Sequence, residues 1–302
     1  MVSTLSMVFM SASAIIAFGL PVFLFLFMRK KYQLKVVPML VGAAAFIIFA
    51  LCLEQIMHFI VLRPGADGTI ALLTDSPALY ALYGIFAAGI FEETARFISF
   101  NLLKKRYRGI GTGLSYGIGH GGIEAILLAG FSMIGNLTIS VMINTGSTVI
   151  LGDSPQIASV LSALTDTEPS MFLLSGVERI FAVVFHISAS VIVWVAVNKA
   201  GRIWLYPVAV FLHAGFNVSA VLYQIGVIKS IISVECIVGI SAVVVVLLAF
   251  LIYKKSGPDK DFGSDKNPDL SNDSASGADS APGNDPALVG DSAPGNDTGS
   301  KI

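Results

Sequence analysis

The sequence predicts an all-α fold: a polytopic membrane bundle of about seven transmembrane helices, followed by a disordered C-terminal tail. Of its 302 residues, 55% are hydrophobic and only 13% are charged, and the mean hydropathy is +0.79. The apolar residues fall in runs of roughly 20 or more, the length that spans a bilayer core of ~30 Å. This composition excludes a soluble enzyme. A net charge of -1 without a long basic segment also excludes a nucleic-acid-binding protein.

Seven apolar runs are bounded by charged or turn-forming residues, and each predicts one helix. The first run is too long for a signal peptide and has no basic residues before it, so we expect it to be retained. The seven runs are residues 4–28, 36–62, 77–103, 109–134, 172–198, 203–226 and 229–253.

Lysine and arginine alternate between the two ends of these helices. Four lie at 29–35, four at 104–108 and two at 199–202, whereas residues 135–171 carry none. By the positive-inside rule, the N-terminus is expected outside the cell membrane and the connections after helices one, three and five in the cytoplasm. Residues 135–171 are expected to form an external loop with a short interfacial or re-entrant piece.

The last segment differs in composition from the rest of the chain. Residues 256–302 carry nine Asp and three Lys, and Asp-Ser-Ala-Pro-Gly-Asn-Asp occurs at 279–285 and again at 291–297. With almost nothing apolar to bury, this segment is predicted to be a disordered cytoplasmic tail. The domain prediction is therefore a membrane domain over 1–255, with its core helices at about 77–226, and a tail over 256–302.

The two cysteines, Cys52 and Cys236, both lie inside apolar runs. We expect them to be buried thiols that behave as small hydrophobic side chains, with no disulfide and no bound metal.

Four of the predicted helices carry polar groups at one depth. Glu92, His120, His186 and His213 lie 11 to 13 residues from the nearest cytoplasmic basic residue, about 16–20 Å along a helix. Ionisable groups at this depth are costly and need a partner, a cavity or a function. The full set is Glu92, Glu93 and Arg96 on helix three, His120 and Glu124 on helix four, Glu178, Arg179 and His186 on helix five, and His213 and Asn217 on helix six.

Several of these residues are spaced for a common helix face, because Glu92 and Arg96, His120 and Glu124, and His213 and Asn217 are each four residues apart. Small residues nearby would let the backbones approach closely: Gly117, Gly119, Gly121, Gly122, Ala214 and Gly215.

A structural role is the alternative for each group taken alone. A buried Glu–Arg pair or a histidine bonded to a carbonyl needs no function, and Glu54 with His58 is expected to be a local or water-facing pair. Three histidines and three carboxylates at one level favour a functional site at the bilayer midplane, because no structural need explains so many desolvated groups.

Activation of water is the chemistry that suits this set. A buried carboxylate can take a proton from water while imidazole or amide donors stabilise the oxyanion on a peptide carbonyl. Alternatively, two histidines and a glutamate can hold Zn²⁺, which lowers the pKa of its bound water. No His-Glu-x-x-His motif occurs, so the metal version has weaker support, and both remain open.

The motifs Glu92-Glu93-Thr-Ala-Arg96 and His213-Ala-Gly-Phe-Asn217 resemble those of glutamic-type intramembrane proteases. That superfamily includes CAAX-processing and bacteriocin-processing enzymes and the PrsW proteins, and the chain is most similar to its YhfC branch. The resemblance covers residues 91–217. The middle motif, a histidine four residues after an aromatic residue, fits less closely. His120 follows Tyr116 by four residues, whereas His186 follows Ala182 by four and is flanked by Phe181 and Phe185, so either can be the middle histidine.

The resemblance implies an intramembrane endopeptidase that cleaves a membrane-associated peptide or protein. Glu92 would be the base, supported by Glu93 and Arg96, while His213 and Asn217 would bind the oxyanion. Glu124 resembles the extra acidic motif of the PrsW and YhfC types. The resemblance implies either no required cofactor or Zn²⁺, for which the candidate ligands are His120, Glu124, His186 and His213.

Two other classes of function remain open from the sequence. Intramembrane Glu, His and Arg also build proton or ion pathways in transporters and channels, although the two halves of this chain show no convincing inverted repeat. A receptor that keeps the fold without turnover is the third possibility, which the intact Glu92, Glu93, His213 and Asn217 disfavour.

Overall fold

The computed structural model describes residues 1–65, 67–147 and 154–257, and within these ranges the chain forms helices and no β-strand. A single isolated bridge pairs Pro64 with Ile70. The predicted all-α membrane fold is confirmed. The helices are α1 Thr4–Tyr32, α2 Val36–Leu62, α3 Ala71–Asp75, α4 Pro77–Leu103, α5 Ile110–Asn144, α6 Pro155–Asp166, α7 Pro169–Asn198, α8 Leu205–Gln224 and α9 Ile231–Lys255.

Six helices of the described chain, α1, α2, α5, α7, α8 and α9, are long and apolar enough to cross a membrane. The seventh long helix, α4, has 27 residues and carries Glu92, Glu93 and Arg96. Its bounds agree with the predicted run at 77–103. The prediction of about seven helices is therefore roughly met, and the seventh long helix is the one that carries the acidic pair.

The connection after α5 is shorter than predicted. α5 continues to Asn144 instead of ending near residue 134, and α6 occupies Pro155–Asp166. The polar residues Asn136 and Thr138 made this stretch resemble a loop. Thr138 donates its hydroxyl hydrogen to the carbonyl of Ile134 one turn earlier, so its polar group is satisfied within the helix.

α2 and α5 each contain a π-helical segment, Ile47–Glu54 in α2 and Ile126–Gly130 in α5. Such segments shift the angular position of the residues that follow and are frequent at functional sites. The segment in α2 ends at Glu54, and the segment in α5 begins two residues after Glu124.

α7 is the central helix of the bundle, and it packs against α1, α4, α5, α8 and α9. In its most apolar stretch 72% of the residues are buried, compared with 22% to 39% in the other five apolar spans. Phe185, Ile192 and Trp194 on this helix are fully buried. Helices α1, α4, α5, α8 and α9 surround α7.

Glycines on α5 permit close contact with its neighbours. A Cβ atom on Gly119 would lie 1.8 Å from the carbonyl oxygen of Met39, and one on Gly117 would lie 2.6 Å from the Cα of Ile187. Gly121 and Gly122 are similarly restricted, as predicted. Gly215 on α8 is the exception, because nothing lies within 4 Å of a Cβ built there.

Two further expectations concern the cysteines and the tail. Cys52 and Cys236 are free, as predicted, but both are exposed on the outside of the bundle, so the expectation of burial was wrong. An apolar run in a membrane helix has a lipid-facing side as well as a protein-facing side, and hydropathy does not distinguish them. Residues 258–302 of the predicted tail lie outside the described residues.

Candidate active site

Helices α4, α5, α7 and α8 bring seven of the eight predicted site residues into one buried cluster. Each of these side chains belongs to a residue that is at most 9% exposed. On α4, the spacing of three and four residues turns Glu92, Glu93 and Arg96 toward the same side of the helix. The cluster comprises Glu92, Glu93, Arg96, His120, Glu124, His186 and His213.

Arg96 is the centre of this network, and its side chain is fully buried. Its guanidinium donates to the carboxylate of Glu93, to Nδ1 of His186 and, from Nε at 3.2 Å, to Oγ of Ser190. Its Nη2 also lies 3.9 Å from Oε2 of Glu92. A planar cation with five donors can therefore link α4 to α7 from a single position.

Glu92 and Glu93 are adjacent in the chain but have different partners. Glu93 accepts hydrogen bonds from Arg96 and, at 2.8 Å, from Nδ1 of His213. Glu92 accepts from Nε2 of His120 at 2.8 Å, while Arg96 and His186 remain 3.9 and 3.7 Å away. The side chain of Glu92 is 7% exposed and that of Glu93 is 0%. Glu93 is thus held as a structural anion, whereas Glu92 is less neutralised and more accessible.

A second acidic group approaches His186 from its other edge. Nε2 of His186 lies 2.5 Å from Oε2 of Glu124, and Oε1 of Glu124 accepts from Nη1 of Arg179 at 2.8 Å. Arg179 also contacts the carboxylate of Glu178. A chain of contacts therefore runs from Arg179 through Glu124 and His186 to Arg96.

The hydrogen-bond network assigns the proton positions on the histidines. Arginine only donates, so Nδ1 of His186 accepts from Arg96 and its proton lies on Nε2, facing Glu124. His120 donates from Nε2 to Glu92, and its buried Nδ1 has no hydrogen-bond partner among the described residues. His213 donates from Nδ1 to Glu93, which leaves Nε2 for another contact.

Asn217 is the predicted site residue that the structure places apart from the cluster. It lies one helical turn after His213, but its side chain lines a separate cavity of about 290 Å³ together with Glu54, His58, Tyr80 and Tyr83. The predicted pair of Glu54 and His58 is present there, with 3.3 Å between Oε1 and Nε2. Of the three predicted pairs with four-residue spacing, Glu92 and Arg96 approach each other within 4 Å.

Comparison with known proteins identifies the family of this chain. The family model described as YhfC intramembrane metalloprotease matches residues 16–238, about three quarters of the chain. The chain belongs to the YhfC family. The Bacillus subtilis (strain 168) protein named uncharacterized membrane protein YhfC is 37% identical over 246 residues, which cover 80% of this chain and 94% of that protein. No solved structure matches the chain. The resemblance seen in the sequence is thereby confirmed, and the chain is an integral membrane protein.

The description of the YhfC family as metalloproteases raises the question of whether this cluster fits a metal ion. Glu92, His120 and His186 are buried, and one ligand atom from each lies within 4.8 Å of the others. One carboxylate and two imidazoles form a donor set typical of catalytic zinc. Glu124 on the far nitrogen of His186 is the kind of carboxylate that orients a ligating histidine. The residues therefore fit Zn²⁺, although Arg96 occupies Nδ1 of His186.

The other two predicted metal ligands have different surroundings. Glu124 contacts His186 and Arg179, and His213 contacts Glu93. Glu92, which is predicted as the base, also belongs to the three-residue donor group.

Two residues that contact the cluster were not among the predicted site residues. Arg179 had a detectable signal, because an arginine within an apolar span requires a partner. Ser190 had none, because serines are common in membrane helices, and only the packing of α7 against α4 shows that its hydroxyl receives Nε of Arg96.

Proposed function

We propose that this chain is an intramembrane endopeptidase that hydrolyses a peptide bond in a membrane-associated substrate, with Glu92 as the base that activates water. The observation that carries this proposal is that the buried carboxylates of the cluster differ in their positively charged partners. Arg96 contacts Glu93 and Arg179 contacts Glu124 at hydrogen-bond distance, whereas no guanidinium of the described residues lies that close to Glu92. Glu92 therefore keeps a carboxylate oxygen with the basicity that the reaction needs.

In the proposed reaction, Glu92 accepts a proton from water while the water oxygen bonds to the carbonyl carbon of the substrate. The same carboxyl group then returns that proton to the leaving nitrogen as the C–N bond breaks. Glu93 and Arg96 hold the position of α4 against α7 and α8. This division of roles explains why two adjacent glutamates would be needed at one depth.

We assign stabilisation of the oxyanion to His213. Asn217 lies one turn farther along the same face of α8. Because Nδ1 of His213 donates to Glu93, its Nε2 can donate to an oxyanion only when the imidazole is protonated. The amide of Asn217 faces the neighbouring cavity, so in this proposal it contacts the part of the substrate next to the cleaved bond.

A metal ion would change the source of the nucleophile. Glu92, His120 and His186 would hold it, and a bound Zn²⁺ supplies water of lowered pKa at that position. We propose that the centre works without the metal, because the guanidinium of Arg96 already supplies positive charge to Nδ1 of His186 and stands 3.9 Å from Glu92. For the same chain we propose location in the cell membrane with an external N-terminus.

The test is cleavage of a dye-labelled membrane peptide library by the purified protein in detergent. Glu92→Gln keeps the shape of the side chain and removes the basic oxygen, so turnover should fall by ~10²–10⁴-fold without a change in melting temperature. Glu168→Gln is the control, because Glu168 is exposed and lies outside the cluster. Near-normal cleavage by Glu92→Gln would remove Glu92 as the base.

A second arm of the experiment addresses the metal. The same assay is repeated with a strong chelator, and the zinc content of the purified protein is measured before and after. We expect cleavage to persist in the chelator. Loss of activity that Zn²⁺ restores, together with stoichiometric zinc that disappears in His120→Ala, would replace the glutamate mechanism with the metal mechanism.

A further inference from the structure

A second polar cavity lies between α2, α4 and α8, separate from the buried cluster. It has a volume of about 290 Å³, and four polar side chains that line it lie on two of these helices: Glu54 and His58 on α2, and Tyr80 and Tyr83 on α4. On the side of α8, the cavity is lined by Asn217 and Gln224. The hydroxyl of Tyr80 donates to Oε1 of Gln224 at 2.8 Å. We define these residues as the outer chamber.

Glu54 is the one acidic residue of the outer chamber, and it is only 5% exposed. Within the described part of the chain its ion-pair partner is His58, whose Nε2 lies 3.3 Å away, and no Lys or Arg is paired with it. Nδ1 of His58 lies 2.6 Å from the hydroxyl of Tyr83. A neutral imidazole satisfies both contacts, because Tyr83 can donate to Nδ1 while Nε2–H faces Glu54. The lining of the chamber therefore contains one carboxylate and, among the described residues, no Lys or Arg.

A buried carboxylate without a cation is costly in a membrane protein, and a bound positive group would offset that cost. An apolar groove of about 800 Å³ adjoins the chamber at Tyr83 and extends along α4 to Phe91, the residue before Glu92. The groove and the chamber therefore share Tyr83 on α4, whereas Glu92 lines neither of them.

We propose that the outer chamber is a specificity subsite that receives a basic side chain of the peptide substrate, with the carboxylate of Glu54 as its counter-ion. Tyr83 and Glu92 are nine residues apart on α4, about 13 Å at 1.5 Å per residue. An extended peptide covers this distance in about four residues. Because this distance is measured along the helix axis, it is a minimum, and the substrate class is an apolar segment with a lysine or arginine at least four residues from the cleaved bond. This inference rests on the proposed endopeptidase function.

The test uses three dye-labelled peptides that share one apolar segment and carry Lys, Gln or Glu at positions four or more residues from the cut, on either side. We expect the Lys peptide to exceed the Glu peptide at one of these positions by ~10–100-fold in kcat/KM, mainly through KM. Glu54→Gln should reduce cleavage of the Lys peptide to the level of the Gln peptide, and Glu54→Lys should reverse the preference. Asp75→Asn is the control, because this exposed acid pairs with Arg63 outside the chamber.

Binding of the same peptides to Glu92→Gln, measured by fluorescence anisotropy, separates the two proposals. One outcome would be that the unmodified protein cleaves none of the peptides, while Glu92→Gln binds the Lys peptide more tightly than the Glu peptide and Glu92→Gln/Glu54→Gln binds both equally. In that case the subsite stands and the endopeptidase proposal fails. Equal binding and equal cleavage of all three peptides would overturn the subsite. If Glu54→Gln does not fold, the comparison of the three peptides on the unmodified protein still decides whether the subsite prefers a basic side chain.

Discussion

His213 and Asn217 lie one helical turn apart on α8, but their side chains enter two different spaces. His213 donates to Glu93 in the buried cluster, whereas Asn217 lines the outer chamber with Glu54. The α8 helix therefore connects the proposed catalytic centre to the proposed subsite. A peptide that reaches from one to the other would pass both residues, which is why a single motif can serve the oxyanion and the neighbouring part of the substrate.

Arg96→Ala should destabilise the protein as well as inactivate it. The substitution leaves Glu93 and Nδ1 of His186 without their buried donor, which costs ~3–5 kcal/mol for a broken buried pair. Thermal unfolding in detergent measures the loss. Arg63→Ala is the matched control, because its pair with Asp75 is exposed and worth about 1 kcal/mol or less. Equal melting temperatures for the two variants would contradict the central role of Arg96.

Arg179 is expected to act as a positioning residue through Glu124 and His186. Arg179→Gln removes the donor that holds Oε1 of Glu124, so the carboxylate no longer orients the imidazole. Partners of this kind typically change activity by ~10–100-fold. We expect the loss in kcat, with KM nearly unchanged and partial recovery in Arg179→Lys. A loss confined to KM, or no recovery with lysine, would assign Arg179 to another role.

Gly119→Ala should prevent correct packing of α5 against α2. The added Cβ would lie 1.8 Å from the carbonyl oxygen of Met39, a backbone atom that cannot move independently, so the helices must separate at a cost of ~1–3 kcal/mol or more. In Gly215→Ala nothing lies within 4 Å of the new atom, and the higher helix propensity of alanine should stabilise it by up to about 1 kcal/mol. Yield and melting temperature compare the two variants, and an equal loss in both would refute the contact argument.

The orientation of the chain is tested with an impermeant thiol reagent on intact cells. Cys52 and Cys236 are exposed and free, so both are first replaced by serine. We expect Ser3→Cys to react from outside and Gly277→Cys to react only after the membrane is permeabilised, because the basic residues at 29–35 and 104–108 place those connections in the cytoplasm. The opposite labelling pattern would reverse the proposed topology.

The helical architecture and the identity of the central cluster were accessible from the sequence. Hydropathy located α4 at its actual bounds because a run of apolar residues needs no knowledge of its neighbours. Counting along the helices placed Glu92, His120, His186 and His213 at one depth, since the rise per residue is constant. The C-terminal extension of α5 to Asn144 was missed because its hydroxyl and amide side chains resemble those of loops.

The sequence by itself determined which chemical groups are available and at which level, and only the tertiary structure decided which of them are neighbours. The rotation of each helix about its axis is set by packing, by glycine contacts and by the π-helical segments in α2 and α5. That rotation directs Glu124 to His186 and Arg179 on α7, and it turns Asn217 toward Glu54. Pairings between helices depend on this angle, which a linear spacing does not contain.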